Sequence, residues 1–341
     1  MRRYLIPRTN LWAAPLCLGT GSFTVEQERQ AREQLDCFVD LGGNLIDTAN
    51  IYGQKKTGDE NSSERIIGRW LQDRGQPADI LVSSKGGHPP LEDLHRSRLD
   101  ADSLTADLDL SRRTLGRDCL DLYFLHRDDP AQPAEALLSQ LERFRQAGWI
   151  RYYGLSNWSA GRLEQALAWC GQLEDCGLAA VQNRWSLAQY NPEGSPDDTL
   201  AAVDAPVWQI LRRQDLALLA YSAMAKGFFN KLQPVGGQPV AEAGTGREPS
   251  AQLDFASLPE KLRRYYLNDL NLRRAEAVWA IAADRKRPPA QIALAWLLQQ
   301  PFPVFPVVSF SALHQIEEAM GTPAIQLTEE EMQRLSAGSV C

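Results

Sequence analysis

The chain has 341 residues, of which 44% are hydrophobic and 23% charged, the balance of a folded globular protein. Single α/β domains commonly exceed about 250 residues, so we expect one domain over residues 1–341. The net charge of -7 comes without a basic stripe, which argues against DNA or RNA as a partner.

The first residues and the cysteines indicate the compartment. Pro7, Arg8, Asn10 and Pro15 interrupt the apolar start, so we expect neither an export signal nor a membrane span. Six cysteines occur without a C-x-x-C pair, which favours reduced thiols in a cytoplasmic protein over disulfides or a zinc site. The four histidines lack metal-ligand spacing, so we expect no catalytic metal. The cysteines are Cys17, Cys37, Cys119, Cys170, Cys176 and Cys341.

Short runs rich in Val, Ile, Leu and Tyr recur between longer amphipathic stretches, a pattern typical of repeated βα units around a parallel sheet. Most of the runs are apolar throughout, as strands covered on both faces should be. We predict eight strands, at Pro15–Gly19, Leu45–Ala49, Ile80–Lys85, Leu122–His126, Tyr152–Ser156, Ala180–Asn183, Leu216–Tyr221 and Val304–Val308.

The stretches between these strands carry apolar residues at helical spacing. Glycines such as Gly42, Gly116 and Gly148 follow several of them, where a left-handed helix cap prefers glycine. Eight strands alternating with eight helices predict a closed (β/α)8 TIM barrel. The predicted helices are Glu26–Leu41, Ser63–Asp73, Ala101–Leu115, Pro133–Ala147, Ala160–Gly171, Ala205–Arg213, Pro289–Gln299 and Ala312–Met320.

Three segments lie outside the repeat. Arg3–Trp12 precedes the first strand and is predicted to be a β-hairpin that closes the barrel floor. Lys226–Pro259, after the seventh strand, carries four prolines, and a loop of that length is usually a lid or disordered. Thr328–Ser336 is predicted to be an extra C-terminal helix.

Polar residues end several of the apolar strands. In a (β/α)8 barrel the active site lies at the carboxyl ends of the strands, so we expect these side chains to face one cavity. They are Asp47 with Tyr52 just beyond it, Lys85, His126, Ser156 with Asn157, and Gln182 with Asn183.

Four of these residues fit the chemistry of carbonyl reduction, which needs a proton on oxygen as hydride arrives at carbon. Tyr52 is the natural donor, and a nearby Lys85 ammonium would lower its ordinary pKa of about 10. Asp47 would hold Lys85 charged, and His126 would donate a hydrogen bond to the carbonyl oxygen. Taken singly, each residue is more often structural, as a packed aromatic, a core histidine or an ordinary ion pair, but their convergence on consecutive strand ends favours the chemical role.

The motifs resemble those of the aldo-keto reductase family. They are L-I-D-T-A-N-I-Y-G at Leu45–Gly53, S-S-K-G at Ser83–Gly86, D-L-Y-F-L-H at Asp121–His126, I-R-Y-Y-G-L-S-N-W at Ile150–Trp158, A-V-Q-N at Ala180–Asn183 and L-L-A-Y-S-A-M-A-K-G at Leu218–Gly227. The resemblance covers nearly the whole chain in the family's order. It implies a (β/α)8 barrel that binds NADP(H) or NAD(H) without a Rossmann domain, and catalysis by Asp47, Tyr52, Lys85 and His126.

The resemblance also implies a set of cofactor contacts. The matching positions are Ser156, Asn157 and Gln182 for the nicotinamide carboxamide, Tyr221 for stacking on its ring, Ser222, Met224 and Gly227 for the pyrophosphate, and Gly19 and Thr20 for the nicotinamide ribose. Asn157 also has a structural interpretation as the cap of the following helix, and the glycines have one as turn residues.

One departure concerns the adenosine 2′-phosphate. Where many NADPH-preferring relatives have I-P-G-[ST]-[KR], this chain has F-P-V-V-S-F-S at Phe305–Ser311. Arg and Lys bind a phosphate best, whereas Ser309, Ser311 and Gln315 offer neutral contacts. We therefore expect use of both cofactors or a shift toward NAD(H).

The expected function is reduction of an aldehyde, ketone or sugar-like carbonyl, or the reverse reaction on an alcohol. The partner would be a small-molecule carbonyl or polyol, and the protein a monomer or homo-oligomer. One alternative is a cofactor-binding regulatory or redox-sensing subunit with little turnover, because the resemblance reaches the β subunits of potassium channels. Another is phosphate-handling chemistry, which commonly uses a Gly-rich loop near the last strands, but Val307–Ser311 lacks glycine.

Overall fold

The computed structural model describes residues 1–54, 58, 60–195, 197–232, 253–256 and 258–337. The chain opens with a short antiparallel hairpin of β1 (Tyr4–Leu5) and β2 (Trp12–Ala13). Its turn places Ile6 and Leu11 inside the bottom of the barrel, where both side chains are buried. The predicted hairpin is confirmed.

Eight parallel strands follow and form one sheet in the order β10-β3-β4-β5-β6-β7-β8-β9. Each internal neighbour is the next strand along the chain, as repeated right-handed βα units require. The strands are β3 (Cys17–Gly19), β4 (Leu45–Asp47), β5 (Leu81–Gly86), β6 (Leu120–Leu125), β7 (Ile150–Ser156), β8 (Leu178–Gln182), β9 (Ala217–Leu218) and β10 (Val307–Val308).

Backbone contacts between the first and last edges close the sheet. Leu218 N donates to Pro303 O over 2.9 Å, and Phe305 N donates to Leu218 O over 2.8 Å. Val307 N donates to Ala220 O over 2.8 Å, which joins the chain after β9 to β10. The predicted (β/α)8 barrel is therefore confirmed, with its weakest pairing where β9 meets β10.

Helices cover the outside of the barrel, and all eight predicted ones are present with ends shifted by at most two residues. A terminal helix follows the eighth unit, as predicted. The helices are α1 (Glu28–Asp40), α2 (Ser62–Asp73), α3 (Ala101–Leu115), α4 (Ala134–Gln146), α5 (Ala160–Cys170), α6 (Ala205–Arg213), α7 (Phe228–Lys231), α8 (Glu260–Tyr266), α9 (Asp269–Arg285), α10 (Pro289–Leu298), α11 (Leu313–Met320) and α12 (Glu329–Ser336).

Three helices between β9 and α10, namely α7, α8 and α9, were absent from the sequence prediction. Both α8 and α9 lie in this connection, and α9 is the longest helix of the described chain, with 17 residues. The Asn268 side chain accepts from Asn271 N and caps the start of α9. Lys226–Pro259 contains the short helix α7, and its residues 233–252 and 257 lie outside the described part of the chain.

Strand parity decides which side chains reach the barrel interior. Leu45, Leu81 and Leu122 belong to the small core inside the barrel, while Ile46 and Val82 belong to the larger core under the helices. Residues that lie an even number of positions apart in a strand share a face of the sheet. Polar residues two or four positions after each inward leucine therefore point to the upper mouth of the barrel.

The expectation of unpaired thiols throughout is wrong for two of the six cysteines. Cys170, at the end of α5, and Cys176, just before β8, form a disulfide with their Cα atoms 5.5 Å apart. A six-residue turn brings them together, which C-x-x-C spacing could not reveal. Cys17, Cys37 and Cys119 are free, and Cys341 lies outside the described residues.

Asn44 ties the hairpin to the barrel floor, so replacing it should destabilise the fold. Its buried side chain accepts from Ala14 N and donates to Trp12 O and Asp79 O over 2.7–2.9 Å. Asn44→Ala would leave three backbone groups unpaired, and each such buried group costs about 1–3 kcal/mol. We expect urea unfolding to show a loss of about 3 kcal/mol or more, against almost none for the exposed Gln326→Ala; a loss below about 1 kcal/mol for Asn44→Ala would contradict this account.

Candidate active site

A buried ion pair lies at the upper end of β4 and β5. Lys85 Nζ is 2.7 Å from Asp47 Oδ2 and donates a second bond of 2.7 Å to Thr48 O. Lys85 is 0% exposed and Asp47 1% exposed. Burial lowers the pKa of Lys85, but the charges of Asp47 and Tyr52 outweigh burial, so this pKa lies above its ordinary value. Lys85 is therefore a fixed cation.

Asp47 is held by further donors as well as by Lys85. Its Oδ1 accepts from Ser83 Oγ over 2.9 Å and from Gln182 Nε2 over 3.0 Å. Three strands, β4, β5 and β8, thus meet on one carboxylate. Because both carboxylate oxygens accept hydrogen bonds, the carboxylate cannot rotate without losing a bond.

Tyr52 lies beside this pair, with the Lys85 ammonium 4.6 Å from its ring centroid. Burial raises the pKa of Tyr52 above its usual value, and the Lys85 charge counteracts part of that rise. The expectation of a lowered pKa is therefore wrong in direction, because burial outweighs the ammonium. The phenol stays protonated, which is the state that a proton donor needs.

His126 follows β6 and contacts two other rings. Its ring centroid is 5.7 Å from that of Tyr52 and 4.7 Å from that of His88, both edge-on. Burial lowers the pKa of His126 well below its usual value, and His88, Arg127 and Lys85 lower it further. The imidazole is therefore neutral. Tyr52, Lys85, Asp47 and His126 are brought together, as the sequence predicted.

Arg127, the next residue, joins this group to a covering segment. Its guanidinium donates to His126 O over 2.9 Å and to Thr199 Oγ1 over 3.0 Å, and pairs with Asp197 over 3.3 Å. We call residues 197–203 the strap, since they cross the carboxyl ends of the strands. The Arg184 backbone pairs with the other end of the strap through Ala201 O and Val203 N.

The residues matched to the nicotinamide carboxamide form one connected cluster. Ser156 Oγ donates to Gln182 O over 2.8 Å, and Asn157 Nδ2 donates to Ser156 Oγ over 3.0 Å. Tyr221 Oη donates to Asn157 Oδ1 over 2.7 Å, and Ala201 N of the strap donates to the same oxygen over 3.1 Å. Asn157 does not cap the next helix, because Ser159 is the N-cap of α5.

The turn after β9 has an unusual backbone. Ser222, Ala225 and Lys226 have φ of 57°, 46° and 55°, and Gly227 has φ of 78°. Left-handed conformations are disfavoured in residues other than glycine, and they persist where the surroundings enforce them. Successive N–H groups in such a turn form a concave nest that attracts anions. Met224, matched to the pyrophosphate together with Ser222 and Gly227, lies inside this turn.

The remaining predicted contacts are occupied by the protein itself. Ser309 Oγ donates to Gly19 O over 2.7 Å, and the Ser311 N and Oγ atoms lie 2.9 and 3.1 Å from Gln315 Oε1. Thr20 is buried, and its hydroxyl donates to Asp47 O over 2.9 Å. Gly19 and Thr20 therefore hold the strand ends in place.

Two other features are absent from the described part of the chain. No group of three or more His, Cys, Asp or Glu side chains could hold a metal ion there. Among the helices described here, none has the length and hydropathy needed to cross a membrane.

Comparison with known proteins decides the family. The model of the aldo/keto reductase family matches residues 15–338. The chain belongs to the aldo/keto reductase family. It is therefore an NAD(P)-dependent oxidoreductase, which sets aside phosphate-handling chemistry.

Individual relatives agree with this assignment. The chain is 26% identical over 321 residues to aldo-keto reductase yakc [NADP(+)] of Schizosaccharomyces pombe, with 92% of this chain and 84% of the relative covered. It is 27% identical to the oxidoreductase YrpG of Bacillus subtilis, with 96% and 93% covered.

Two solved structures share the fold. The thermostable aldo-keto reductase Tm1743, crystallised with the inhibitor epalrestat, has a TM-score of 0.71 at 23% identity, with 99% of both chains covered. The holo form of aldo-keto reductase AKR11C1 from Bacillus halodurans has a TM-score of 0.71 at 20% identity, with 99% of this chain and 96% of that chain covered.

Sequence reasoning missed two residues of this aldo/keto reductase that touch the site. His88 lies two residues after β5, and Arg127 directly follows His126; both are 8% exposed. A polar residue directly beyond a strand end was the available signal for both. Neither residue ends a predicted strand, and neither was therefore predicted.

A buried carboxyl group also lies behind the site. Glu64 on α2 is 0% exposed, its Oε1 accepts from Ser84 Oγ, and its Oε2 has no partner among the described residues. Burial raises the pKa of Glu64 from 4.5 to about 7, although Ser84 and Ser111 lower it. Because the pKa in the folded state is the higher one, the stabilisation is complete below pH 4.5 and is lost as the pH rises through 7.

Glu64→Gln should remove this pH dependence, because the amide stays neutral. A shift from 4.5 to about 7 corresponds to about 3 kcal/mol at roughly 1.4 kcal/mol per unit. We expect the free energy of unfolding of the native chain, relative to the variant, to fall by about 3 kcal/mol between pH 5 and pH 8. Urea unfolding at both pH values measures the change, and a difference that stays constant with pH would refute the assignment.

Proposed function

We propose that the protein reduces an aldehyde or ketone to an alcohol, or runs the reverse reaction, with Tyr52 as the proton donor. The observation that supports this best is the convergence of a protonated phenol, a fixed ammonium and a neutral imidazole at one barrel mouth. A protein that only binds a ligand has no need of that combination.

The residues present fit a nicotinamide dinucleotide. The amide and hydroxyl groups of Ser156, Asn157 and Gln182 match the donors and acceptors of a carboxamide, and the half-buried Tyr221 ring lies next to them. The nest at residues 222–227 suits a pyrophosphate. When bound, this group supplies the hydride.

The proton is delivered by the protein's own residues. As the carbonyl oxygen gains negative charge, the Tyr52 hydroxyl transfers its proton to that oxygen, and the O–H bond of the phenol breaks as the alcohol O–H bond forms. His126 donates a hydrogen bond to the same oxygen and stabilises the charge as it develops. Tyr52 and His126 are both neutral before the reaction. No charge on either side chain therefore has to be desolvated when a substrate enters.

The ion pair stabilises the product side of this transfer. Loss of the proton leaves a phenolate on Tyr52, and the Lys85 ammonium lies close enough to offset its charge. Asp47 keeps Lys85 charged and fixed in position. Lys85 thus acts on the negative charge that builds up on Tyr52 as the proton leaves, and so stabilises the transition state.

Features of the mouth favour a polar substrate, namely a small aldehyde, ketone or sugar-like carbonyl. A cavity of about 380 Å³ lies beside the site. Arg127 and Asn157 line it, whereas the four reactive residues do not, and its walls mix donors with acceptors. Arg98 and Arg127, two cationic residues of the cavity wall, already pair with Asp107 and Asp197. These two arginines therefore add little uncompensated charge to the cavity. This balance suits an uncharged substrate with several hydroxyl groups.

A cofactor-binding subunit with little turnover is the competing interpretation. It would need the cofactor contacts, but not a phenol and an ammonium placed together. The intact set of Tyr52, Lys85, Asp47 and His126 therefore favours the enzyme.

Tyr52→Phe should abolish most turnover and leave cofactor binding intact. The substitution removes the proton but keeps the ring against His126, and general acid catalysis is worth about 10²–10⁴-fold. We expect NADPH or NADH oxidation with a panel of aldehydes, ketones and keto-sugars to slow by that factor. Tyr152→Phe, which removes a hydroxyl near Asn10 at the other end of the barrel, is the matched control. Full activity in Tyr52→Phe would exclude Tyr52 as the donor.

We further propose that the enzyme uses NADH as well as NADPH. The relative yakc is named for NADP(+), but residues Phe305–Glu318 of this chain contain no Lys or Arg. Gln315 is occupied by Ser311, and Ser311 itself is exposed. Without charge-assisted bonds, a 2′-phosphate gains little over a ribose hydroxyl. Lys226 or Lys231 could supply a cation from the other side of the cofactor groove.

Ser311→Arg should therefore create a preference for NADPH. We expect the native chain to bind the two cofactors within about tenfold of each other, and the variant to bind NADPH at least about tenfold more tightly than before with NADH unchanged, in line with one charge-assisted contact. Fluorescence titration measures both dissociation constants, and Ser311→Gln controls for side-chain length. A native preference for NADPH of tenfold or more would disprove dual use.

A further inference from the structure

One buried group beside His126 has no role in the proposed reaction. His88 follows β5, is 8% exposed, and meets the His126 ring edge-on with centroids 4.7 Å apart. Side chains that are this buried are normally apolar, and buried polar atoms normally have hydrogen-bond partners. We therefore expect partners for both ring nitrogens of His88.

The partners of His88 determine which nitrogen carries its proton. Nδ1 is 2.6 Å from Pro89 O, which can only accept, so Nδ1 is the protonated nitrogen. Nε2 is 3.4 Å from Arg127 Nη2, which can only donate, so Nε2 is the bare nitrogen. His88 is thus a neutral ring with one tautomer and one orientation.

Arg127 makes that orientation rigid. Its guanidinium contacts His88, the carbonyl of His126, Thr199 and Asp197 at the same time. Five donors in a planar fork allow this, and a lysine in its place could not satisfy the same set. His88 is therefore held from the strand that carries His126 and from the strap.

His126, in contrast, has no side-chain hydrogen bond that would fix its ring. Its Nδ1 is buried and has no partner among the described residues. An orphaned buried N–H is rarer than an orphaned acceptor, which favours the tautomer with the proton on Nε2. Among the described residues, the aromatic contacts of this ring are the edge-on ones with Tyr52 and His88.

We propose that His88 is a positioning residue: anchored by Arg127, it fixes the ring orientation of His126, so that His126 can donate its Nε2–H to the carbonyl oxygen. The inference rests on the proposed function, because it assigns His88 a role in the reaction only through His126. It gives Arg127 the role of anchor and the strap the role of a brace.

A double-mutant cycle tests whether His88 acts through His126. His88→Phe keeps the ring and loses both nitrogens, whereas His88→Gln keeps an acceptor for Arg127 and loses the ring. In the native background we expect His88→Phe to lower kcat at least about tenfold, because small misplacements of a catalytic group are costly, with the dissociation constant of NADPH unchanged.

In a His126→Asn background the same substitution should change kcat by less than about threefold, because there is no imidazole left to orient. Equal losses in the two backgrounds would mean that His88 is merely structural and would overturn the proposal. So would a His88→Phe enzyme with native kcat. Rescue of kcat by His88→Gln would assign the effect to the hydrogen bond with Arg127. Its failure would show that the ring and its nitrogens are both needed, and each outcome keeps His88 as the positioning group.

A spectroscopic readout separates this proposal from the proposed function. The chain has four histidines, so the imidazole nitrogens can be assigned in a ¹⁵N NMR spectrum by substituting them one at a time. We expect the His126 nitrogen shifts to change in His88→Phe, because the ring no longer keeps one orientation, with the exposed His95 unchanged as a reference. Unchanged His126 shifts would overturn the proposal. Absence of turnover with every carbonyl would instead count against the proposed function, and the NMR result would still stand.

Discussion

The buried ion pair between Lys85 and Asp47 constrains everything around it. Taking both charges out of water costs several kcal/mol per ion, and their attraction offsets that cost only when the remaining donors and acceptors are satisfied. Thr48 O, Ser83 and Gln182 supply those bonds from three strands. The barrel mouth can therefore adopt few other arrangements without leaving a buried charge unpaired.

The same constraint explains why the site could be predicted from the sequence. Inward and outward positions alternate along a strand, so apolar runs that end in Asp47 or Lys85 place those charges above an apolar interior. Their partners come from the neighbouring strand end and, across the barrel, from Gln182. Helix ends were predicted closely for a related reason, since capping residues such as Asp100 and Thr328 have short-range effects. The chemical roles of these residues remain predictions.

Other features depended on contacts that no local pattern contains. The helices α8 and α9 follow a segment rich in glycine and proline, and α9 gains its stability by packing on α10 and α12. The pairing of Cys170 with Cys176 depends on how the chain turns into β8. His88 gains its place from Arg127, 39 residues away, and from a strap that lies further along the chain. Such tertiary relations are invisible to periodicity and spacing.

The seam between β9 and β10 has one more consequence. Its strands are two residues long, while the strands on the far side of the barrel have six or seven. The nest at residues 222–227 and the Ser309–Gln315 region leave from the two sides of this seam. A dinucleotide that touches both would bridge the two sides of the weakest joint of the barrel. Its binding free energy would add to the free energy needed to open that joint locally. In the proposed binding mode, the cofactor lies across the joint of the barrel that has the shortest strands.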